Sequence, residues 1–161
     1  ISNISDIALL TLEGTGMVGI PGFSKRLFET LSQEKINVIM ITQASSEHSI
    51  CLGIEDKEAE NAKTAIDTAF ENEIALGKID PIIIENGLSI IALVGDNMKN
   101  HQGISGKMFS SLGRNNINIR AIAQGASEKN ITAVIDESSL TTPTQEPSNP
   151  TTINNTTAES N

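Results

Sequence analysis

Two glutamines at matching positions are the residues of this chain best suited to bind a small ligand. Gln43 and Gln124 each close an apolar strand just before a predicted hairpin, in the related segments ITQASSEHSI at 41–50 and IAQGASEKNI at 122–131. A side-chain amide offers donors and an acceptor without charge, which suits a hydroxyl, an ammonium or a carboxylate. The plainer interpretation is an edge glutamine bonded to neighbouring backbone. The Q-x-x-S-E pattern in both segments favours a binding role.

Each copy also carries a Gly-Ile-x-Gly sequence directly before a predicted helix, GIPG at 19–22 and GISG at 103–106. The first turn of a helix presents unpaired N–H groups and the positive end of its dipole, so it can hold a small carboxylate without an arginine. For either loop alone, turn geometry is the favoured explanation of the glycines. Pairing GIPG with GISG gives the second copy three additional loop residues and a shorter helix.

Other motifs point only weakly to nucleotide binding, catalysis or a metal. GTGMVG at 14–19 matches the letters of the dinucleotide fingerprint, but no acidic residue follows about 20 positions later at a strand end. His48 and His101 fall in non-equivalent polar loops, and Cys51 lies within a predicted strand as a buried structural thiol would. This set cannot form a disulfide or a zinc site. We therefore expect no catalytic residue, metal or cofactor in this chain.

These residues are positioned by a module that occurs twice. An offset of 81 residues also pairs Phe28 with Phe109 and Leu31 with Leu112. In the first copy, hydrophobic periodicity predicts strands at 6–13, 38–45, 50–55 and 82–85 and helices at 23–35 and 57–72. In the second copy it predicts strands at 88–95, 119–124 and 131–136 and a helix at 104–115. The order βαββαβ predicts an α+β, ferredoxin-like fold, a four-stranded antiparallel sheet with both helices on one face.

We divide the chain into a first module at 1–86, a second module at 87–137 and a polar tail at 138–161. The second module lacks its last helix and strand, so we expect chain upstream of Ile1, or a partner, to cover its open edge and apolar face. Ser, Thr, Asn and Pro make up 18 of the 24 tail residues. Because such a segment buries too little apolar surface to offset its ordering entropy, the tail is predicted to be disordered.

Composition excludes several classes of partner. The formal net charge is −9, and the 11 basic residues are scattered, which argues against nucleic-acid binding. No apolar run approaches the ~20 residues that cross a bilayer, so no membrane is expected. The single cysteine fits a cytoplasmic setting. The chain begins without Met or a signal sequence, and we expect it to be a piece of a longer protein.

Two segments carry a resemblance to a known family, GMVGIPGFSKRLFETLSQEKINVIMITQASSEHSI at 16–50 and LSIIALVGDNMKNHQGISGKMFSSLGRNNINIRAIAQGASEKNI at 88–131. They resemble the tandem ACT regulatory region of aspartokinases, most of all the threonine-sensitive class fused to homoserine dehydrogenase. The resemblance implies ferredoxin-like ACT domains in tandem that bind a pathway end-product amino acid and feedback-inhibit an attached aspartate kinase. It implies threonine as the effector more than lysine, and ATP and Mg only for the parent kinase domain.

The resemblance also implies which residues touch the effector. They are Gly22, Phe23 and Ser24 at the helix start, Asn37 and Val38 on the next strand, Gln43, and Gln124 as the counterpart in the second copy. It further implies a homo-oligomer formed through the ACT sheets. The sequence departs from the family after the last strand, where a helix is usual and this chain has SSLTTPTQEPSNP. The alternatives are a structural dimerisation module without ligand and an intrinsic enzyme, the latter disfavoured by the lack of a nucleophile and base pair.

Overall fold

The chain folds around one six-stranded antiparallel sheet. The computed structural model describes residues 2–17, 22–44, 48–95, 103–124 and 130–140. The strands are β1 (Ser2–Glu13), β2 (Met40–Ala44), β3 (Ser49–Glu55), β4 (Ile83–Val94), β5 (Ile119–Gln124) and β6 (Asn130–Asp136). The helices are α1 (Phe23–Gln33), α2 (Ala59–Ala69), α3 (Glu71–Ala75) and α4 (Ile104–Arg114). The strand order is β2-β3-β1-β4-β6-β5, so the first four strands in the chain have the predicted ferredoxin-like order, and that fold class is confirmed.

The strand registers repeat with the offset of 81 residues that relates the two copies. Leu10 pairs with Leu52 between β1 and β3, and Ile91 pairs with Ala133 between β4 and β6. All seven pairs of the first ladder have such a counterpart in the second. The duplication seen in the sequence is therefore a duplication of backbone hydrogen bonding.

Two long strands, β1 and β4, join the modules. The sequence predicts separate strands at 82–85 and 88–95, but β4 is one strand that continues through Gly87. Its first part pairs with the second part of β1, and its second part pairs with β6. Residues Ser2–Ile4 of β1 pair with Ile90–Ala92, the place of the missing fourth strand of the second module. This chain itself thus supplies part of the edge that we expected upstream segments or a partner to supply.

The first module has a closed core between its sheet and two helices. Alternate residues of β1 and β3 point to the helices, and Phe23, Leu27 and Leu31 of α1 are buried at helical spacing against them. The predicted helix at 57–72 is instead two helices, α2 and α3, because the backbone at Phe70 (φ −111°) leaves the helical region. Helices α1 and α2 lie on one face of this half of the sheet.

The second module has one described helix on the same kind of sheet. In α4 only Leu112 is buried, and Ile91 and Leu93 on the strand beneath are half-buried. After β6, a 3-10 turn at Glu137–Leu140 contacts β4, so three residues placed in the predicted tail belong to a defined turn. Residues 141–161, the rest of that tail, lie outside the described residues.

A second apolar cluster fills the opposite face of the sheet, where the two halves meet. It contains residues of β1, β2, β4, β5 and β6: Ile7, Leu9, Met40, Leu88, Ile90, Ala121 and Val134. The outer strands β2 and β5 also contact each other. No helix in the described part of the chain is long and apolar enough to span a membrane.

Candidate functional site

A cleft of about 330 Å³ lies where the start of α1 faces the end of β2. Three of the predicted site residues at the helix start, Gly22, Phe23 and Ser24, line it together with Gln43. The other described residues that line it are Met17, Lys25 and Ile50. The fold therefore brings one amide and one helix N-terminus to the same opening.

The helix end at this cleft is open to a ligand. Gly22 is the N-cap, with φ 85° and ψ 3°, a left-handed conformation that glycine adopts without a Cβ penalty. Among the described residues no side chain caps the helix, and the Arg26 amide, 3.1 Å from the Gly22 carbonyl oxygen, makes the first helical bond. The N–H groups of the preceding turn have no partner within the helix, and with the helix dipole they favour an anionic group.

Gln43 reaches the cleft because of its place in the β2–β3 hairpin. It pairs with Ile50, so both side chains lie on the helix-facing side of the sheet. Ile50 is buried and Gln43 is exposed, which gives the cleft an apolar floor and a polar rim. Sequence reasoning missed Ile50 as a lining residue, although the hairpin register predicts it from Gln43.

Met17 and Lys25 were also missed. Met17 packs against the first-module core while lining the cleft. Lys25 is the third residue of α1, and its exposed side chain brings a positive charge to the rim. The sequence signal for Lys25 is its place in the first turn of the helix that begins after Gly22, next to the predicted site residue Ser24.

Asn37 and Val38 lie elsewhere. We predicted them on the strand, but β2 begins at Met40, and both residues precede it. Gln43 is six residues beyond Asn37, a distance of about 20 Å along an extended chain. Val38 packs against the first-module core, and neither residue lines the cleft.

The second copy repeats the arrangement of the backbone. Gly103, with φ 82° and ψ 8°, is the N-cap of α4, and Gln124 pairs with Ile131 as Gln43 pairs with Ile50. The predicted pairing of GIPG with GISG is wrong, because Gly22 corresponds to Gly103, whose φ requires the glycine. Gly106 lies inside the first turn. Both α1 and α4 have 11 residues, so the second helix is not shorter.

The segment 14–17 has a packing role that accounts for two glycines of the dinucleotide-like motif. A Cβ on Gly14 would lie 2.3 Å from the Lys78 carbonyl oxygen, and one on Gly16 would lie 2.6 Å from Lys78 Cβ. The Gly16 amide donates to the Lys78 carbonyl at 2.8 Å. These glycines allow two backbone segments to touch. Close packing therefore accounts for glycine at both positions, and no bound nucleotide phosphate is needed to explain them. Residues 18–21 lie outside the described residues.

One ion pair lies behind the cleft. Arg26 Nη1 is 2.5 Å from Glu73 Oε1, and the hydrogen bond from this guanidinium lowers the pKa of the Glu73 carboxyl below its usual value of 4.5. Acid that protonates Glu73 removes this contact, so its stabilisation is present above that value and lost as the pH falls through the lowered pKa.

The other candidate groups for chemistry stay apart. Cys51 is half-buried, not fully buried as predicted, with its sulfur 3.1 Å from Thr11 Oγ1. His48 is exposed at a turn with φ 51°, and its carbonyl accepts from the Gly14 amide. His101 lies outside the described residues. Within the described ranges, no group of three or more His, Cys, Asp or Glu is placed to hold a metal ion.

Comparison with known proteins identifies relatives of this arrangement. The sequence profile described as ACT domain matches residues 10–70 and 91–142, more than half of the chain. The bifunctional aspartokinase/homoserine dehydrogenase of Haemophilus influenzae is 44% identical over 137 residues, which cover 85% of this chain and 17% of that protein. The aspartokinase of Saccharomyces cerevisiae is 36% identical over 138 residues, 86% of this chain and 25% of that protein. The chain thus spans about a sixth to a quarter of these two relatives.

Solved structures share the fold. The regulatory subunit of aspartate kinase from Thermus flavus superposes with a TM-score of 0.69 at 22% identity, covering 85% of this chain and 87% of that one. Escherichia coli aspartokinase III, solved in complex with lysine and aspartate in the T state, gives a TM-score of 0.61 at 26% identity, covering 84% of this chain and 29% of that one. These matches confirm the resemblance that the two repeated segments predict.

Proposed function

Because this chain belongs to the ACT domain family, we propose that it is the regulatory region of an aspartate kinase and that a free amino acid bound in the cleft beside Gln43 inhibits that kinase. The observation that supports the proposal is the placement of Gln43 and the uncapped start of α1 on walls of one cleft. Inhibition then follows from different effector affinity in two arrangements of the ACT pair, with a coupling of ~1 to 3 kcal/mol.

The lining residues match the parts of an amino acid. The α-carboxylate is placed at the N–H groups of the first α1 turn, where the helix dipole favours a negative charge. The Gln43 amide oxygen accepts from the ammonium or a hydroxyl. Met17 and Ile50 offer apolar surface to a short side chain. Arg is not needed for this mode of carboxylate binding.

We propose threonine as the effector. Lys25 lies at the rim, and none of the described residues that line the cleft is acidic. A lysine effector would bring a second ammonium group toward this cation without a carboxylate to pair with it, whereas the side chain of threonine is neutral. Escherichia coli aspartokinase III, whose structure contains lysine, therefore serves as a contrast in specificity.

The same proposal covers the parts that this chain does not contain. The parent protein is an aspartate kinase that uses ATP and Mg to phosphorylate the aspartate side chain, with a homoserine dehydrogenase domain as in the bifunctional relatives. We place it in the cytoplasm. We also propose a second effector site at Gln124, at the start of α4.

One observation favours a second function, dimerisation through the sheets. Among the described strands, β2 and β5 each have one edge that pairs with no other strand, although the two strands contact each other, and at equivalent positions Ile41 and Ile122 are 50% and 43% exposed. Unpaired edges with exposed apolar residues are ready to pair with another chain. A homo-oligomer of this kind is compatible with effector binding. The alternative to the regulatory function is a module that dimerises without binding a ligand.

Calorimetric titration of this 161-residue chain with threonine tests the proposal. We expect heat of binding with threonine and none with lysine. Gln43→Ala should weaken threonine binding by about tenfold or more, because hydrogen bonds to charged groups contribute about 1.5 to 3 kcal/mol. Gln33→Ala is the matched control, since Gln33 is an exposed glutamine at the far end of α1.

A panel of amino acids in a thermal-shift assay separates the two functions. Stabilisation selective for threonine supports the regulatory function, because a ligand that binds only the native state raises the melting temperature. If no amino acid changes the melting temperature and sedimentation analysis shows dimers, the regulatory function is contradicted and the dimerisation module is favoured. Unchanged threonine affinity in Gln43→Ala would exclude this cleft as the site.

A further inference from the structure

A stack of three side chains joins α1 to the junction of α2 and α3, directly behind the cleft. The rings of Phe23 and Phe70 have centroids 4.7 Å apart at an angle of 33°. The Arg26 guanidinium carbon lies 4.4 Å from the Phe70 centroid, on a ring that is fully buried. Arg26 Nη2 donates to the Ala69 carbonyl at 2.5 Å, and Nη1 pairs with Glu73. One arginine thus holds the end of α2 and the start of α3.

The stack ends at a wall of the cleft. Phe23 is both the neighbour of Phe70 and a lining residue, so the position of its ring depends on the position of Phe70. Arg26 itself does not line the cleft. Any influence of Arg26 on a bound ligand is therefore indirect, and Phe23 with the first turn of α1 provides one route for it.

A second lining residue, Met17, depends on the same segment of chain. Met17 lines the cleft, and Gly16 beside it donates to the Lys78 carbonyl at 2.8 Å. Lys78 is tied back to α3, because its amide donates to the Glu73 carbonyl at 2.9 Å. Residues 70–78 therefore support two lining residues, Phe23 through the ring stack and Met17 through this backbone bond.

We propose that Arg26 is a positioning residue for the effector cleft, which sets the positions of two lining residues, Phe23 and Met17, by holding residues 70–78 against α1. The inference rests on the proposed function, since it assumes that the cleft binds an amino acid. The described part of the second module has no such arginine: Lys107 occupies the position of Arg26, and Ile104 that of Phe23. The positioning device belongs to the first module.

Loss of Arg26 should change the affinity for the effector more than it changes the stability of the fold. The Arg26 side chain is 47% exposed, and an exposed ion pair contributes little to folding. The cation–π contact with a buried ring and the bond to the Ala69 carbonyl add geometric constraint. A residue that only stabilised the fold would lower the melting temperature without a selective loss of binding.

The test compares Arg26→Gln and Arg26→Lys with Lys63→Gln in threonine titrations of the whole chain. Lys63 is the matched control, because it also pairs with a carboxylate, Asp67, and donates to the backbone of Ile82, away from the cleft. We expect Arg26→Gln to weaken threonine binding roughly tenfold, an ordinary size for coupling between sites. Arg26→Lys, which keeps the charge but loses the planar fork, should lose less, and Lys63→Gln should bind as the wild type does.

Two outcomes overturn the positioning role. One is wild-type affinity in Arg26→Gln; the other is an equal loss in Arg26→Gln and Lys63→Gln, which would indicate a general effect of stability. In either case the wild-type chain still binds threonine, so the proposed function stands.

Amide hydrogen exchange decides the inference if the wild-type chain binds no amino acid and the proposed function fails. Arg26→Gln should then speed exchange of the Gly16 and Lys78 amides several-fold relative to Lys63→Gln, because local opening of residues 70–78 becomes easier. Unchanged exchange at these two amides would show that Arg26 does not hold this segment.

Discussion

The two modules have the same strand registers but different cover on the helix-facing side of the sheet. In the first module, Leu12 of β1 lies beneath α1 and α2 and is 1% exposed. Its counterpart Leu93 in β4 lies in the module with one described helix and is half-buried. Register is set by backbone pairing with the neighbouring strand, whereas burial depends on a second helix. Duplication of the strands therefore does not duplicate the core.

The first prediction puts a magnitude on this difference. Leu12→Ala should lower the free energy of unfolding by about 3 kcal/mol, because it leaves a cavity in a closed core. Leu93→Ala should cost about 1 kcal/mol, because the site already has solvent on one side and the lost transfer energy scales with buried area. Urea unfolding of both variants measures the two losses.

Equal losses in the two variants would contradict this comparison. They would indicate that Leu93 is as well covered in solution as Leu12, for example by residues outside the described ranges. An unchanged denaturant slope in both variants is the control, since it shows that the unfolded states remain comparable.

The second prediction concerns the local feature that the modules share. Gly22 and Gly103 have nearly the same left-handed conformation, and a Cβ on either would meet no atom within 4 Å. Alanine at each position should therefore cost only the backbone strain, about 1 kcal/mol. We expect Gly22→Ala and Gly103→Ala to lose the same amount in thermal or urea unfolding. A much larger loss in one variant would mean that the two helix starts differ in packing.

Much of this fold was predictable because local signals agree with it. The repeat predicted a duplicated βαββ unit, and the amphipathic spacing of α1 predicted which residues enter the core. The placement of Gln43 beside the start of α1 follows from strand alternation and hairpin register. These are short-range properties that a sequence carries directly.

The predictions failed where distant segments decide the structure. Asn86-Gly87 has the composition of a turn, yet β4 continues through it, because β1 pairs with Glu85 before it and with Leu88 after it and accommodates the two residues as an irregularity in register. The pairing of Ser2–Ile4 with β4 depends on the whole sheet and has no local signal. The match of Gly106 to Gly22 follows the letters of the motif, although the offset of 81 residues already pairs Gly22 with Gly103, and the backbone angle of Gly103 supports that pairing.

The last prediction exchanges a residue between the two long strands. Asp6 in β1 and Gly87 in β4 are equivalent positions with φ 56° and 68°, a conformation that costs less for glycine than for aspartate. The surroundings add little, since Asp6 is exposed and a Cβ on Gly87 would meet no atom within 4 Å. Asp6→Gly should therefore raise the free energy of unfolding by about 0.5 kcal/mol, and Gly87→Asp should lower it by a similar amount. Urea unfolding of the two variants and of the double exchange measures both. If Asp6→Gly destabilised the protein instead, the aspartate side chain would have a stabilising role in the first module that its second-module counterpart lacks, and the two strands would be equivalent in backbone only.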